Sequence, residues 1–149
     1  MSEVNIKSTN HVSFTVSDLT RTLSYLEDAL GMEVLSDGPR DNAVIERVTG
    51  VAGADVRIAF VQAPGLRLEL IEYKGPDEKT TYTPRPCDVG FAHVAFNVEN
   101  FDDALARAKE HGVSPAGEAA MIDRGPNKGR RVVYLRDWDG LTIEFIEEI

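Results

Sequence analysis

Two stretches of the chain echo each other. NHVSFTVSDLTRTLSYLEDALGMEV (10–34) and AHVAFNVENFDDALARAKEHGVSP (92–115) both run strand, short polar turn, amphipathic helix, glycine, next segment. Such a repeat requires each half to be built from the same supersecondary unit, and this narrows the choice of folds sharply. In the first copy Val12, Phe14 and Val16 alternate with His11, Ser13 and Thr15. In the second, Val94, Phe96 and Val98 alternate with His93, Ala95 and Asn97. A period of two marks a strand with one buried face.

Helical signals follow each strand. Ser17 or Asp18 can cap the first helix, whose Leu19, Leu23, Leu26 and Leu30 recur at helical spacing before Gly31. Asn100 can cap the second, which carries Phe101, Ala104, Leu105 and Ala108 and stops at Gly112. The halves match again at their ends. LRLELIEY (66–73) and LTIEFIEEI (141–149) alternate in the same way. Each follows a tight turn, APG or DWDG, and an apolar strand, VRIAFVQ (56–62) or RVVYLRD (131–137). Each half reads as β-α-β-β-β, with the second strand the least marked. The polar segment KGPDEKTTYTPRPCD (74–88), with three prolines, is the linker between them.

The bulk properties exclude several functions. A net charge of −9 and a pI near 4.8 argue against nucleic acid or an anionic membrane as partner. No apolar run approaches the roughly 20 residues that span a bilayer, and MSEVNIKSTN has no apolar core of a secretory signal. A single cysteine, Cys87, allows no intramolecular disulfide, so a reducing cytoplasm is the expected compartment.

The repeat also brings chemistry. His11 and His93 occupy equivalent places on the opening strands, and Glu69 and Glu144 on the closing ones, at separations of 58 and 51 residues. All four fall on the more polar face of their strands. If the modules pair about a pseudo-twofold axis, the four side chains converge on one concave surface. Two imidazoles and two carboxylates suit one divalent ion: Zn, Ni, Co, Mn or Fe. Arg57, Arg67 and Tyr134 are candidates for holding substrate, although only Arg67 shares the parity of its neighbouring glutamate. GPNKGRR (125–131) reads either as a basic lid over an anionic substrate or as a plain hairpin loop. His111 ends its helix beside free carbonyls, and Cys87 has no base beside it.

HVSFTVSDL, GFAHVAFNVENFDDAL and VVYLRDWDGLTIEF together resemble the vicinal oxygen chelate superfamily, which includes glyoxalase I, methylmalonyl-CoA epimerase, fosfomycin-resistance and bleomycin-binding proteins and extradiol dioxygenases. The last stretch is similar to the family's aromatic-x-x-DPDG-x-x-x-E ending, with Trp138 where proline is usual. The resemblance implies an α+β fold of two tandem βαβββ modules, 6–73 and 89–149, within a single domain over 1–149. Their strands would form one open, curved eight-stranded mixed sheet around the metal. It implies His11, Glu69, His93 and Glu144 as ligands, the set of glyoxalase I more than of its relatives. It further implies a homodimer acting on a small-molecule substrate. The expected activity is that of a metal-dependent isomerase, epimerase or lyase, with proton transfer next to a carbonyl held at the metal. Glu144, loosely coordinated, would carry the proton, and Glu69 would be its counterpart. A non-catalytic drug-binding protein of the same fold and an Fe(II) extradiol dioxygenase are the alternatives.

Overall fold

The computed structural model describes all 149 residues, and the alternation in each half becomes strand then helix. In the first half, β1 (Val12–Thr15) leads through a polar turn into α1 (Leu19–Ser24). Asp18 caps α1, its carboxylate accepting from the Arg21 N–H. A π-helical turn, Tyr25–Ala29, continues the helix and buries both Tyr25 and Leu26 against the core. Then come β2 (Glu33–Pro39), α2 (Asn42–Thr49), β3 (Asp55–Ala63) and β4 (Leu66–Gly75). α2 buries none of its residues: its short apolar stripe leaves Val44 and Val48 exposed.

The second half repeats the plan with β5 (Val94–Val98), α3 (Phe101–Glu110), β6 (Ser114–Pro115), β7 (Ala120–Met121), β8 (Arg131–Arg136) and β9 (Thr142–Glu147). Its second strand is broken into the two short pieces β6 and β7, which pair with different parts of β8. Asn100 does not cap α3 as expected. It sits in the left-handed region at φ 52°, which asparagine tolerates, and its side chain makes no capping bond. Asp102 and Asp103 in the first turn and Arg107 and Lys109 in the last complement the helix dipole instead. The DWDG turn needs its glycine. A Cβ on Gly140, at φ 79°, would lie 2.7 Å from Thr83 and 2.8 Å from Arg136, where the linker crosses the hairpin.

The strands form two sheets, ordered β1-β4-β3-β2 and β5-β9-β8-β6, with β7 beside β8. In each, the opening strand lies parallel to the last, and a hairpin supplies the remaining antiparallel pairs. The α+β class and the paired modules are as the sequence implies. The single eight-stranded sheet is not present within the chain. β1 and β5, the strands that would join the halves, are each an outer edge. The reason lies in the core. One cluster of 18 buried residues runs from Leu68 and Leu70 of β4, through Leu19, Leu23 and Leu26 of the first helix and Phe101 and Ala108 of α3, into Val133, Ile143 and Phe145 of the second sheet. The halves are therefore joined through their apolar faces, each large side chain contributing roughly 1.5–3 kcal/mol of burial. The opposite face of each sheet carries the polar side chains, although Val56 and Ile58 on that face of the first sheet are buried. No helix is long and apolar enough to cross a membrane.

Candidate metal centre

The open face of the first sheet carries His11, Ser13 and Thr15 from the β1 segment and Arg67 and Glu69 from β4, because their neighbours Phe14, Val16, Leu68 and Leu70 are drawn to the core. The parallel register sets Ser13 beside Glu69, and the hairpin register sets Phe60 on the other side of Glu69. His11 Nε2 lies 3.6 Å from Glu69 Oε1, and its ring meets the Phe60 ring edge-on at 5.4 Å. The Ser13 hydroxyl donates to Glu69 at 2.9 Å. His11 Nδ1 is 2.6 Å from the side-chain oxygen of Asn10. Asn10 holds the ring so that Nε2 faces the Glu69 carboxylate, an imidazole nitrogen and a carboxylate oxygen set side by side as a cation's ligands are, with an outer contact of the kind that orients such a histidine.

The second sheet builds the same pair with different support. Ala95 and Tyr134 flank Glu144 in register. His93 Nε2 is 3.0 Å from Glu144 Oε2, and Ala95 supplies no hydroxyl to hold that carboxylate. Aromatic rings surround the pair: Tyr134 at 4.6 Å from the His93 ring, and Phe91 stacked on His93 at 5.9 Å and on Tyr134 at 6.4 Å. Burial, and then the Glu144 charge, push the Tyr134 phenol above its ordinary pKa, so it stays protonated at neutral pH. Side chains of all four candidate ligands are 14–32% exposed, open enough to be reached and shielded enough to hold an ion.

The four do not meet within one chain. No group of three or more His, Cys, Asp or Glu side chains could hold a metal. Each sheet turns its apolar face to the shared core and its candidate ligands away from it, so the chain holds them as two separate pairs, His11 with Glu69 and His93 with Glu144.

The substrate candidates divide. Tyr134 is at the second pair, and Arg67 lies on the Glu69 face, two residues along β4. Arg57 does not face the ligands. It stands opposite Glu72 in register, on the helix side of the sheet, and is held by Asp37 at 2.6 Å and by the Thr20 hydroxyl at 2.7 Å. The C-terminal end of the basic loop is tied down: Arg131 straps Asp102 of α3 to Glu147 of β9, and Arg130 pairs with Glu148. His111 ends α3, its Nδ1 3.0 Å from the Arg107 carbonyl. Residues unforeseen from the sequence are Asn10, Ser13, Phe60 and Phe91. Parity alone would have found the last three, since Ser13 and Phe91 lie two residues from a ligand histidine and Phe60 faces a ligand glutamate across a hairpin.

Comparison with known proteins gives a consistent picture. The family model of the Glyoxalase/Bleomycin resistance protein/Dioxygenase superfamily matches residues 8–145. The chain is 25% identical to the mitochondrial methylmalonyl-CoA epimerase of Mus musculus, over 91% of this chain and 70% of that one. It is 26% identical to the lactoylglutathione lyase of Escherichia coli O157:H7, over 93% and 90%. A glyoxalase family protein from Bacillus cereus superposes with a TM-score of 0.85 at 25% identity, covering 100% of this chain and 99% of that one.

Proposed function

The chain belongs to the Glyoxalase/Bleomycin resistance protein/Dioxygenase superfamily, and on that premise we propose that it is a divalent-metal-dependent isomerase, epimerase or lyase whose site is completed by a second copy. His11 and Glu69 of one protomer and His93 and Glu144 of its partner would hold the ion, one of Ni, Co, Zn, Mn or Fe. The two edge strands β1 and β5 are the surfaces through which such copies would pair. Relatives that are an epimerase and a lyase support proton-transfer chemistry on a small oxygenated metabolite.

A divalent ion held there would supply Lewis acidity, polarising a substrate carbonyl and making the neighbouring C–H acidic. The chain's own groups move the proton. Glu144 takes it from that carbon and returns it to the other face or to the adjacent carbon, so no electrons are gained or lost. The observation that carries this assignment is an asymmetry between the carboxylates. Glu69 is anchored by the Ser13 hydroxyl, whereas Glu144 has Ala95 in that place and only His93 as partner. Glu69 stays put and Glu144 is free to swing toward substrate. Phe91 and Tyr134 wall this side and limit water at the reacting carbon.

Complementation tests the reading. His11→Ala and His93→Ala each destroy both sites of their own dimer. Mixed and allowed to exchange, half the dimers are hybrids with one intact site, so about a quarter of wild-type metal binding returns. Activity should return with it when the mixture is assayed against a panel of 2-oxo acids, thiohemiacetals and acyl thioesters. No recovery on mixing would place the site elsewhere. Metal binding with no solvent-deuterium exchange into any panel substrate would favour the non-catalytic binding protein.

A further inference from the structure

Beside the His11–Glu69 pair lies an open recess of about 350 Å³ whose polar lining is Ser8, Thr9, Asn10, Gln62 and Arg67. Two hydroxyls, two carboxamides and a guanidinium line it, and no carboxylate does. That is unusual in a chain with a net charge of −9. The Gln62 amide donates to the carbonyls of Ala63 and Leu66 and braces the hairpin turn. The Asn10 oxygen is taken by His11, which leaves the amide N–H groups of Asn10 as its remaining polar atoms. Arg57, Arg85, Arg124, Arg130 and Arg131 pair with carboxylates, and Arg67 is among the arginines that do not.

We propose that this recess binds an oxyanion, the carboxylate or phosphate end of the substrate, and that Arg67 selects for it. The inference rests on the proposed active site in one respect: that the anion belongs to the substrate whose other end reaches His11 and Glu69. The placement supports this. Arg67 shares the Glu69 face of β4 two residues away, and Asn10 lines the recess while holding the ligand imidazole. A planar guanidinium with neighbouring hydroxyl and amide donors is the usual recognition chemistry for carboxylate and phosphate. The substrate is therefore a small metabolite with an acidic terminus at one end and an activated C–H beside a carbonyl at the other.

The test is titration of the full-length protein, metal-free and metal-loaded, with inorganic phosphate and with acetate, followed by amide chemical shifts. The proposal expects saturable shifts confined to residues 8–10 and 62–67 in both forms. Arg67→Leu should weaken the binding about tenfold or more, Arg67→Lys should keep part of it, and Arg57→Leu, on the opposite face, should leave it unchanged. Tighter binding of phosphate assigns a phosphate terminus, and tighter binding of acetate a carboxylate. Saturation by neither anion, or equal binding by wild type and Arg67→Leu, overturns the proposal. Because the metal-free form is included, loss of metal binding and loss of anion binding are read separately.

Discussion

Tyr134 stands directly across the β8–β9 ladder from Glu144, the place that Phe60 holds opposite Glu69 in the other half. The two positions differ by one hydroxyl, and in the second half that hydroxyl feels the carboxylate. Burial is the larger cause of the raised phenol pKa and the Glu144 charge the smaller. Ultraviolet titration should therefore find Tyr134 ionising above pH 10, together with Tyr25, whose deeper burial raises its phenol further. Glu144→Gln should move Tyr134 down only part of the way, because the burial remains. A midpoint unmoved in Glu144→Gln would mean that the phenol and the carboxylate do not interact.

The hydrogen bonds of the His11–Glu69 pair yield a second expectation. Asn10 fixes the His11 ring and Ser13 fixes the Glu69 carboxylate, yet neither would touch the ion. Outer-shell partners of this kind typically change metal affinity about 10–100-fold. Asn10→Ala and Ser13→Ala should each weaken Ni or Zn binding in that range, measured by calorimetry, with thermal stability nearly unchanged because both residues are at the surface. Replacing Ala92 or Ala95, their counterparts in the second half, with Gly should leave affinity close to wild type.

How much of this was legible beforehand follows from what each residue does. His11, His93, Glu69 and Glu144 were readable because the repeat and the strand period fix both their place and their face. The hairpins were readable from the same alternation. α2 was not, because it is only eight residues long and its short apolar stripe, Val44, Ile45 and Val48, packs into no core. Whether the four candidate ligands converge within one chain was not legible either. Pattern tells which face of a strand is apolar, but not whether two apolar faces will pack on each other, as they do here through a single core. Asn10 eluded parity because it acts from the residue beside the ligand, where only the geometry of a turn of chain decides.

Arg57 and Arg67 make a paired prediction. Both lie in strands of the first sheet, but on opposite faces. Arg57 is bound to Asp37 and Thr20, and its partner holds it at about 27% exposure. Arg57→Met should cost under ~1 kcal/mol in denaturant unfolding, as partly exposed ion pairs do, and leave metal binding and substrate KM as in wild type. Arg67→Met should do the reverse, with stability unchanged and KM raised. Equal effects of both on KM would show that the faces are misassigned.

The sharpest pH dependence should come from Asp137, in the DWDG turn. It is 9% exposed, and it sits with Tyr25 and Trp138, whose hydroxyl and indole N–H, like Asp137 Oδ2, are buried without partners. Burial is the main cause that lifts its pKa to about 6. The N–H groups of Asp139 and Leu141 pull the other way. The Asp139 charge adds to the rise, and Arg21, stacked over Trp138 at 3.8 Å, opposes it. An unfolded chain releases this proton near pH 3.8, so between the two values the folded protein holds a proton that the unfolded chain has lost. The stabilisation is complete below about pH 3.8 and vanishes as pH rises through 6, a change of up to ~3 kcal/mol. Asp37 and Glu147 are shifted down by Arg57 and Arg131 and act only in the acid range. Comparing wild type with Asp137→Asn by urea unfolding isolates the effect, since the asparagine oxygen can still accept from both backbone N–H groups. From pH 4.5 the stability of wild type should fall relative to the variant and level off above about pH 6. A difference that stays flat across that range would show that Asp137 is already ionised at pH 4.5.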